Sequence, residues 1–202
     1  MTNHADGYRV LTGMGLGRFS EKASRFIGIA HPATSSAEVK DLVAALRREH
    51  PGARHFCHAS VFGADGAEQR SSDDGEPSGT AGRPILRRII AAGFTDTAVV
   101  VVRHFGGTLL GKGGLVQAYG EAAQLALEAA PWEQRWRMTT VRVLCPHAHY
   151  QHLRLDVERA GGRIREAVFL GLIEVVVELP GSSTASMTER WMLRGLSVSA
   201  SA

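Results

Sequence analysis

Two cysteines are all that the 202 residues contain, and Cys57 and Cys145 stand far apart in the chain. They make no CxxC pair and no zinc-type spacing, which excludes a disulfide framework or a cysteine-built metal centre as the organising feature. Reduced thiols are expected. Long apolar runs are missing too. No stretch approaches the roughly 20 residues that cross a bilayer, and the opening MTNHADGYRV has no basic segment ahead of an apolar one. A cytoplasmic protein without a membrane partner is expected. HExxH and G-x-S-x-G are absent, which removes the common zinc-protease and serine-hydrolase layouts. There is no internal repeat and no low-complexity tract. Charge of one sign is scarce: 23 Lys and Arg stand against 20 Asp and Glu, a formal net charge of +3. That balance permits nucleic-acid contact without demanding it.

What is present reads as an ordinary globular chain of mixed strands and helices. Residues 8–30 read as short strands broken by glycines, the best being SRFIGIA. Ser35 and Glu38 make a capping box, and Val39, Leu42, Val43 and Leu46 recur at helical spacing, so a helix runs to the stop at Pro51-Gly52. ARHFCHASVFG alternates as a strand, with His58 on the face of Phe56 and Phe62 and His55 on the face of Cys57 and Val61. Residues 64–79 show no apolar periodicity and read as a polar loop. A helix carrying Ile85, Leu86, Ile89 and Ile90 begins between Thr80 and Pro84. TAVVVVRHF is a buried strand, and an alanine-rich helix fills Gly113 to Ala130. Residues 131–137 read as a linker, after which a βαββαβ order restarts. Two domains are expected, 1–133 and 134–202, the second a ferredoxin-like sandwich.

The stretch VVVVRHFGGTLLGKGGLVQAYGEAA poses the chemical question. Gly106 and Gly111-Lys112 are spaced as in a phosphate-binding P-loop, but Gly113 stands where that loop needs a Ser or Thr for Mg²⁺. Two readings remain. The glycines can be structural, with Leu109 and Leu110 plugged into the core. Alternatively, Arg103, His104, Lys112 and the amides of Gly113 and Gly114 can hold an anion at the start of a helix. Upstream, SSDDGEPSGTAGRP packs Asp73, Asp74 and Glu76 within four residues. Such carboxylates can bind a hard cation or act in acid–base chemistry. They can equally form a solvated turn, cap a helix, or pair with Arg83 or Arg103. His149 and His152 lie one helical turn apart, a spacing that also fits a solvated helix face.

Taken together, RSSDDGEPSGTAGRPIL followed by VVVVRHFGGTLLGKGGLVQAYGEAA resembles the IMPACT/YigZ family, whose pattern is DDGEPxGTAGxPxL and then VVRYFGGxxLGxGGLxRAY. The resemblance covers residues from about 20 to 130. It implies an α+β chain of two domains: an N-terminal one similar to the second domain of ribosomal protein S5, and a ferredoxin-like C-terminal one. It singles out Asp73, Asp74, Gly75, Glu76, Pro77, Gly79 and Thr80 as a polar motif. His104 replaces the family's tyrosine and Gln117 its arginine, which removes one potential phosphate contact. Eukaryotic members restrain a translational stress kinase through an additional N-terminal domain not found in this sequence, so that partner is not carried over.

The leading expectation is a noncatalytic translation-associated regulator that binds RNA or a ribosomal surface, without a cofactor. Its candidate surface is Arg83, Arg103, His104, Lys112, Gly113 and Gly114. A metal-assisted hydrolase using the DDGEP carboxylates and a protein–protein interaction module are the alternatives.

Overall fold

A computed structural model of the chain describes residues 6–200. The chain is α+β and forms two compact units: Tyr8–Arg135, and residues 136–200 together with Asp6 and Gly7. It therefore passes from one unit to the other twice.

The elements of the larger unit run β1 (Gly7–Leu11), β2 (Gly15–Glu21), β3 (Ser24–Pro32), α1 (Ser36–Glu49), β4 (His55–Phe62), β5 (Glu68–Ser72), α2 (Gly82–Ala91), β6 (Thr97–His104), α3 (Gly111–Ala129) and β7 (Trp132–Trp136). Five strands form an antiparallel sheet in the order β2-β3-β6-β4-β5, and β1 pairs with β7. The sheet is covered on both faces. Cys57, Ala59, Val61, Val99 and Val101 pack with α2 and α3. Phe56, Val100 and Val102 pack under α1. Double coverage explains the unbroken valine run of β6, since neither face has to be polar. α3 is rich in alanine because it lies almost on the backbone of β2 and β3. A Cβ added to Gly28 would come within 2.2 Å of the Ala122 carbonyl oxygen.

Three expectations about this unit are corrected. The polar loop at 64–79 contains the edge strand β5, which pairs through its backbone with β4 and buries no apolar side chain. The linker at 131–137 contains β7. The alanine-rich helix starts two residues early, at Gly111, so Lys112 lies inside its first turn. The capping box holds: Ser35 Oγ accepts from Glu38 N at 3.3 Å and donates to Glu38 Oε1 at 3.0 Å.

The second unit runs β8 (Met138–Cys145), α4 (His147–Arg159), β9 (Arg163–Phe169), β10 (Ile173–Pro180), α5 (Gly181–Leu193) and β11 (Ser197–Ala200). Its sheet order, β11-β8-β10-β9, is that of a ferredoxin-like sandwich. Val143, Cys145, Val175 and Val177 make the covered face against Leu153, Val157 and Trp191 of the helices. On the open face Arg142 pairs with Glu174, and Arg163 and Arg165 both grip Glu178. α5 has no cap from its own N-terminal residue, Pro180. Asp6 supplies one: its carboxylate accepts from Ser182 N at 3.0 and 3.1 Å and from the Ser182 hydroxyl.

Candidate functional site

The acidic turn between β5 and α2 is wired into its surroundings carboxylate by carboxylate. Asp73 accepts from three backbone amides at the entrance of α2: Gly79 at 2.8 Å, Ala81 at 3.0 Å and Gly82 at 2.8 Å. Burial pushes its carboxyl up, but those amides and the charge of Arg83 outweigh burial and hold it below the usual carboxylate range. Asp73 therefore caps α2, whose own N-terminal residue, Ala81, offers no side-chain bond. Asp74, at φ +40°, accepts from Arg47 at 2.7 and 2.8 Å and from the Phe56 amide at 2.6 Å. His55 Nδ1 lies 2.9 Å from the Asp74 carbonyl, which can only accept, so Nδ1 carries the proton. Thr80 closes the turn with a 2.6 Å bond from its hydroxyl to the Pro77 carbonyl.

Glu76 turns the other way, into the unit. Its Oε1 accepts from Arg103 at 2.6 Å and from the Tyr119 hydroxyl at 2.7 Å. The Arg103 and Glu76 side chains are 6 % and 4 % exposed. Arg103 also lies over the rings of Phe26 and Phe105, 5.5 and 5.3 Å from their centroids, while its buried Nε has no partner among the described residues. Burial pushes the neighbouring Cys57 thiol up and does the same to the Tyr119 hydroxyl, so both stay protonated. The three carboxylates thus engage three separate partner sets. No group of three His, Cys, Asp or Glu able to hold a metal occurs among the described residues.

The glycine loop lies against this turn. Gly106 is forced by contact: a Cβ there would meet the Ala23 backbone at 2.1 Å. Gly107 and Gly111 adopt φ of +86° and +70°, open to glycine and strained for other residues. Leu110 packs on the core, but Leu109 is 83 % exposed, which corrects the expectation that both leucines are plugs. Between loop and turn lies a cleft of about 400 Å³. Gly75, Glu76 and Pro77 form one wall, and Leu109, Leu110, Gly111 and Lys112 the other. Arg103 and Phe105 join them, and Arg54 and His55 complete the lining.

The six expected anion-binding residues are thus not gathered as one surface. Arg103 is buried against Glu76, which corrects its reading as a free cation. Arg83 is exposed at the start of α2, outside the cleft lining. His104 packs edge-on to His50, with ring centroids 5.6 Å apart, rather than lining the cleft. Gly113 and Gly114 lie in the first turns of α3. Lys112 remains at the cleft. Sequence reasoning missed Arg54, Phe105 and Leu109. The strand register that pairs His55 with Arg103 brings Arg54 to this mouth. His149 and His152 are exposed on α4.

Comparisons with known proteins agree with this geometry. The profile of the Impact N-terminal domain matches residues 22–127, which hold both the acidic turn and the glycine loop. The chain is 34 % identical to IMPACT family member YigZ of Escherichia coli over 171 residues, 84 % of each chain. It is 49 % identical to an IMPACT family member of Thermus thermophilus over 108 residues, 54 % of this chain and 57 % of that one. A crystal structure of a hypothetical protein superposes over 98 % of both chains with a TM-score of 0.65 at 31 % identity. With both motifs in place and the likeness running through the second unit, the chain belongs to the IMPACT family.

Proposed function

We propose that the chain is a noncatalytic, translation-associated protein that binds RNA or a ribosomal surface at the cleft between the acidic turn and the glycine loop. One observation carries the reading. Every carboxylate of the turn is engaged internally, whereas Arg54 and Lys112, both exposed, have no ion-pair partner among the described residues. The cleft rim is therefore cationic although the nearby sequence is acidic. Lys112 in the first turn of α3 places an ammonium beside a helix N-terminus, where a phosphate also meets free amides and the positive dipole end. Phe105, 52 % exposed beside the rim, offers a ring on which an unpaired base can stack.

The open sheet of the second unit supports this reading less. Its cations Arg142, Arg163 and Arg165 are each paired with a carboxylate, and β8 and β10 carry no aromatic residue for stacking. A hydrolase built on Asp73, Asp74 and Glu76 would have to break the capping bonds and the buried ion pair that hold the turn.

Filter binding of single-stranded and structured RNA at several salt concentrations tests the proposal. Lys112→Glu and Arg54→Glu should each weaken binding across RNA sequences and flatten the salt slope by roughly one unit per lost phosphate contact. Phe105→Ala should cost about 1–3 kcal/mol if a base stacks there. Equal affinity for wild type and all three variants, with a flat salt response, rejects the reading and leaves Phe105 and Leu109 as an apolar docking surface for protein.

A further inference from the structure

A second cleft, of about 400 Å³, lies on the α1 side of the larger unit's sheet, away from both family motifs. On β4 the residues turned toward α1 alternate Phe56, His58, Ser60, Phe62. Phe56 and Phe62 pack with α1 in the usual way. The two between them are polar, although a sheet face beneath a helix is normally apolar. Ser60 is only 2 % exposed, yet it lines the cleft. Ser36, in the first turn of α1, lines it from the other side, and its fully buried hydroxyl has no partner among the described residues. A buried hydroxyl without a partner costs free energy unless something else satisfies it.

Apart from the apolar Val39 and the imidazole of His58, the remaining lining is cationic or hydroxylic. Lys40 comes from α1, and Arg70 and Ser71 from β5. Arg70 donates its Nε to Glu68 at 2.9 Å, which leaves its two terminal nitrogens for another acceptor. His58 Nδ1 is 3.0 Å from the Phe56 carbonyl, which leaves Nε2 for a ligand. No Asp or Glu lines the cleft among the described residues. Glu38 of α1 is turned back onto Thr34 and Ser35. No Phe, Tyr or Trp lines it either. Donors dominate, and there is neither a carboxylate for a metal nor a large aromatic face for a base.

We propose that this cleft binds a phosphate-class oxyanion, held by Lys40 and Arg70 with the hydroxyls of Ser36, Ser60 and Ser71, at the N-terminal end of α1. Its volume exceeds that of a bare phosphate and admits a small phosphomonoester, so free phosphate and a phosphorylated sugar are both chemically suited. This site is independent of the cleft that holds Lys112.

Titration of the full chain with inorganic phosphate and, separately, ribose 5-phosphate, followed by amide chemical shifts, tests the proposal. Saturable shifts are expected at residues 36–40, 58–60 and 70–71. Lys40→Ala and Arg70→Ala lie at exposed positions where folding should be unaffected, and each should lower affinity about tenfold, the loss of one charge-assisted contact. Lys112→Glu should leave it unchanged. Tighter binding of ribose 5-phosphate identifies a phosphomonoester as the occupant. Equal affinity for the two identifies free phosphate. Shifts that do not saturate, affinity indifferent to Lys40→Ala and Arg70→Ala, or loss on Lys112→Glu would overturn the assignment.

Discussion

Arg103 and Glu76 form a 2.6 Å ion pair with both side chains almost wholly buried, so the centre of the two family motifs is an internal contact between them. The pair joins the end of β6 to the acidic turn, with the Tyr119 hydroxyl of α3 on the same oxygen. Removing one partner should leave an uncompensated buried charge. Glu76→Gln or Arg103→Met should destabilise the chain by about 3–5 kcal/mol, while the double variant costs less than the sum of the two. Urea unfolding of the four proteins measures the coupling. Fully additive losses would show that the pair is not the contact it resembles.

Asp73→Ala should cost about 2–4 kcal/mol, since it strips the α2 cap from three amides at once. The folded carboxyl is held low, so its contribution is present above the unfolded value of about 3.9 and is lost as pH falls through the folded one. Stability followed by urea midpoint below pH 5 should therefore fall less steeply in Asp73→Asn than in the parent chain.

His104 should make the fold acid-sensitive in a second window. Burial lowers its value first, and the charges of Arg25 and His50 lower it further. Arg25 pairs with it across β3 and β6, and His50 faces it from the end of α1. The unfolded chain then takes up the proton at higher pH than the folded one, so stability drops as pH falls below about 6.5. His104→Tyr, the residue of the family pattern, should remove that part of the pH dependence. Identical pH profiles for the two proteins would contradict it.

Both thiols should be inert in the folded chain. Cys57 and Cys145 are buried, and burial pushes both upward, away from the reactive thiolate. A thiol reagent at neutral pH should modify neither until denaturant is added, and then both together with unfolding of their units. Rapid labelling of native Cys57 would show that the turn above it opens.

Much of this architecture is legible in the residues. The Ser35–Glu38 capping box and the valine run of β6 announce themselves, because each is a local pattern with a local cause. The βαββαβ order of the second unit is readable for the same reason. β5 is not legible, since EQRSS buries no apolar side chain and is a strand only because β4 offers it a backbone. β7 escapes likewise among exposed residues. The pairing of Arg103 with Glu76 could be posed as an alternative but not decided, because 27 residues separate the partners and only strand register brings them together. Arg54 carries no motif at all. It matters because its neighbour His55 lies opposite Arg103 in the sheet.

The cap that Asp6 places on α5 has a practical consequence for dissecting the protein. The bond spans 176 positions of sequence, so a gene fragment beginning at Trp136 would encode every strand of the ferredoxin-like sheet and still leave the first turn of α5 with open amides. Losing such a cap costs about 0.5–2 kcal/mol, a large share of what a unit this small can spare. A faithful fragment must restore Asp6 by a permuted gene order or an engineered substitute at Pro180. By the same logic, a purification tag fused close ahead of Asp6 is attached to the start of a helix whose own residues lie near the other end of the gene.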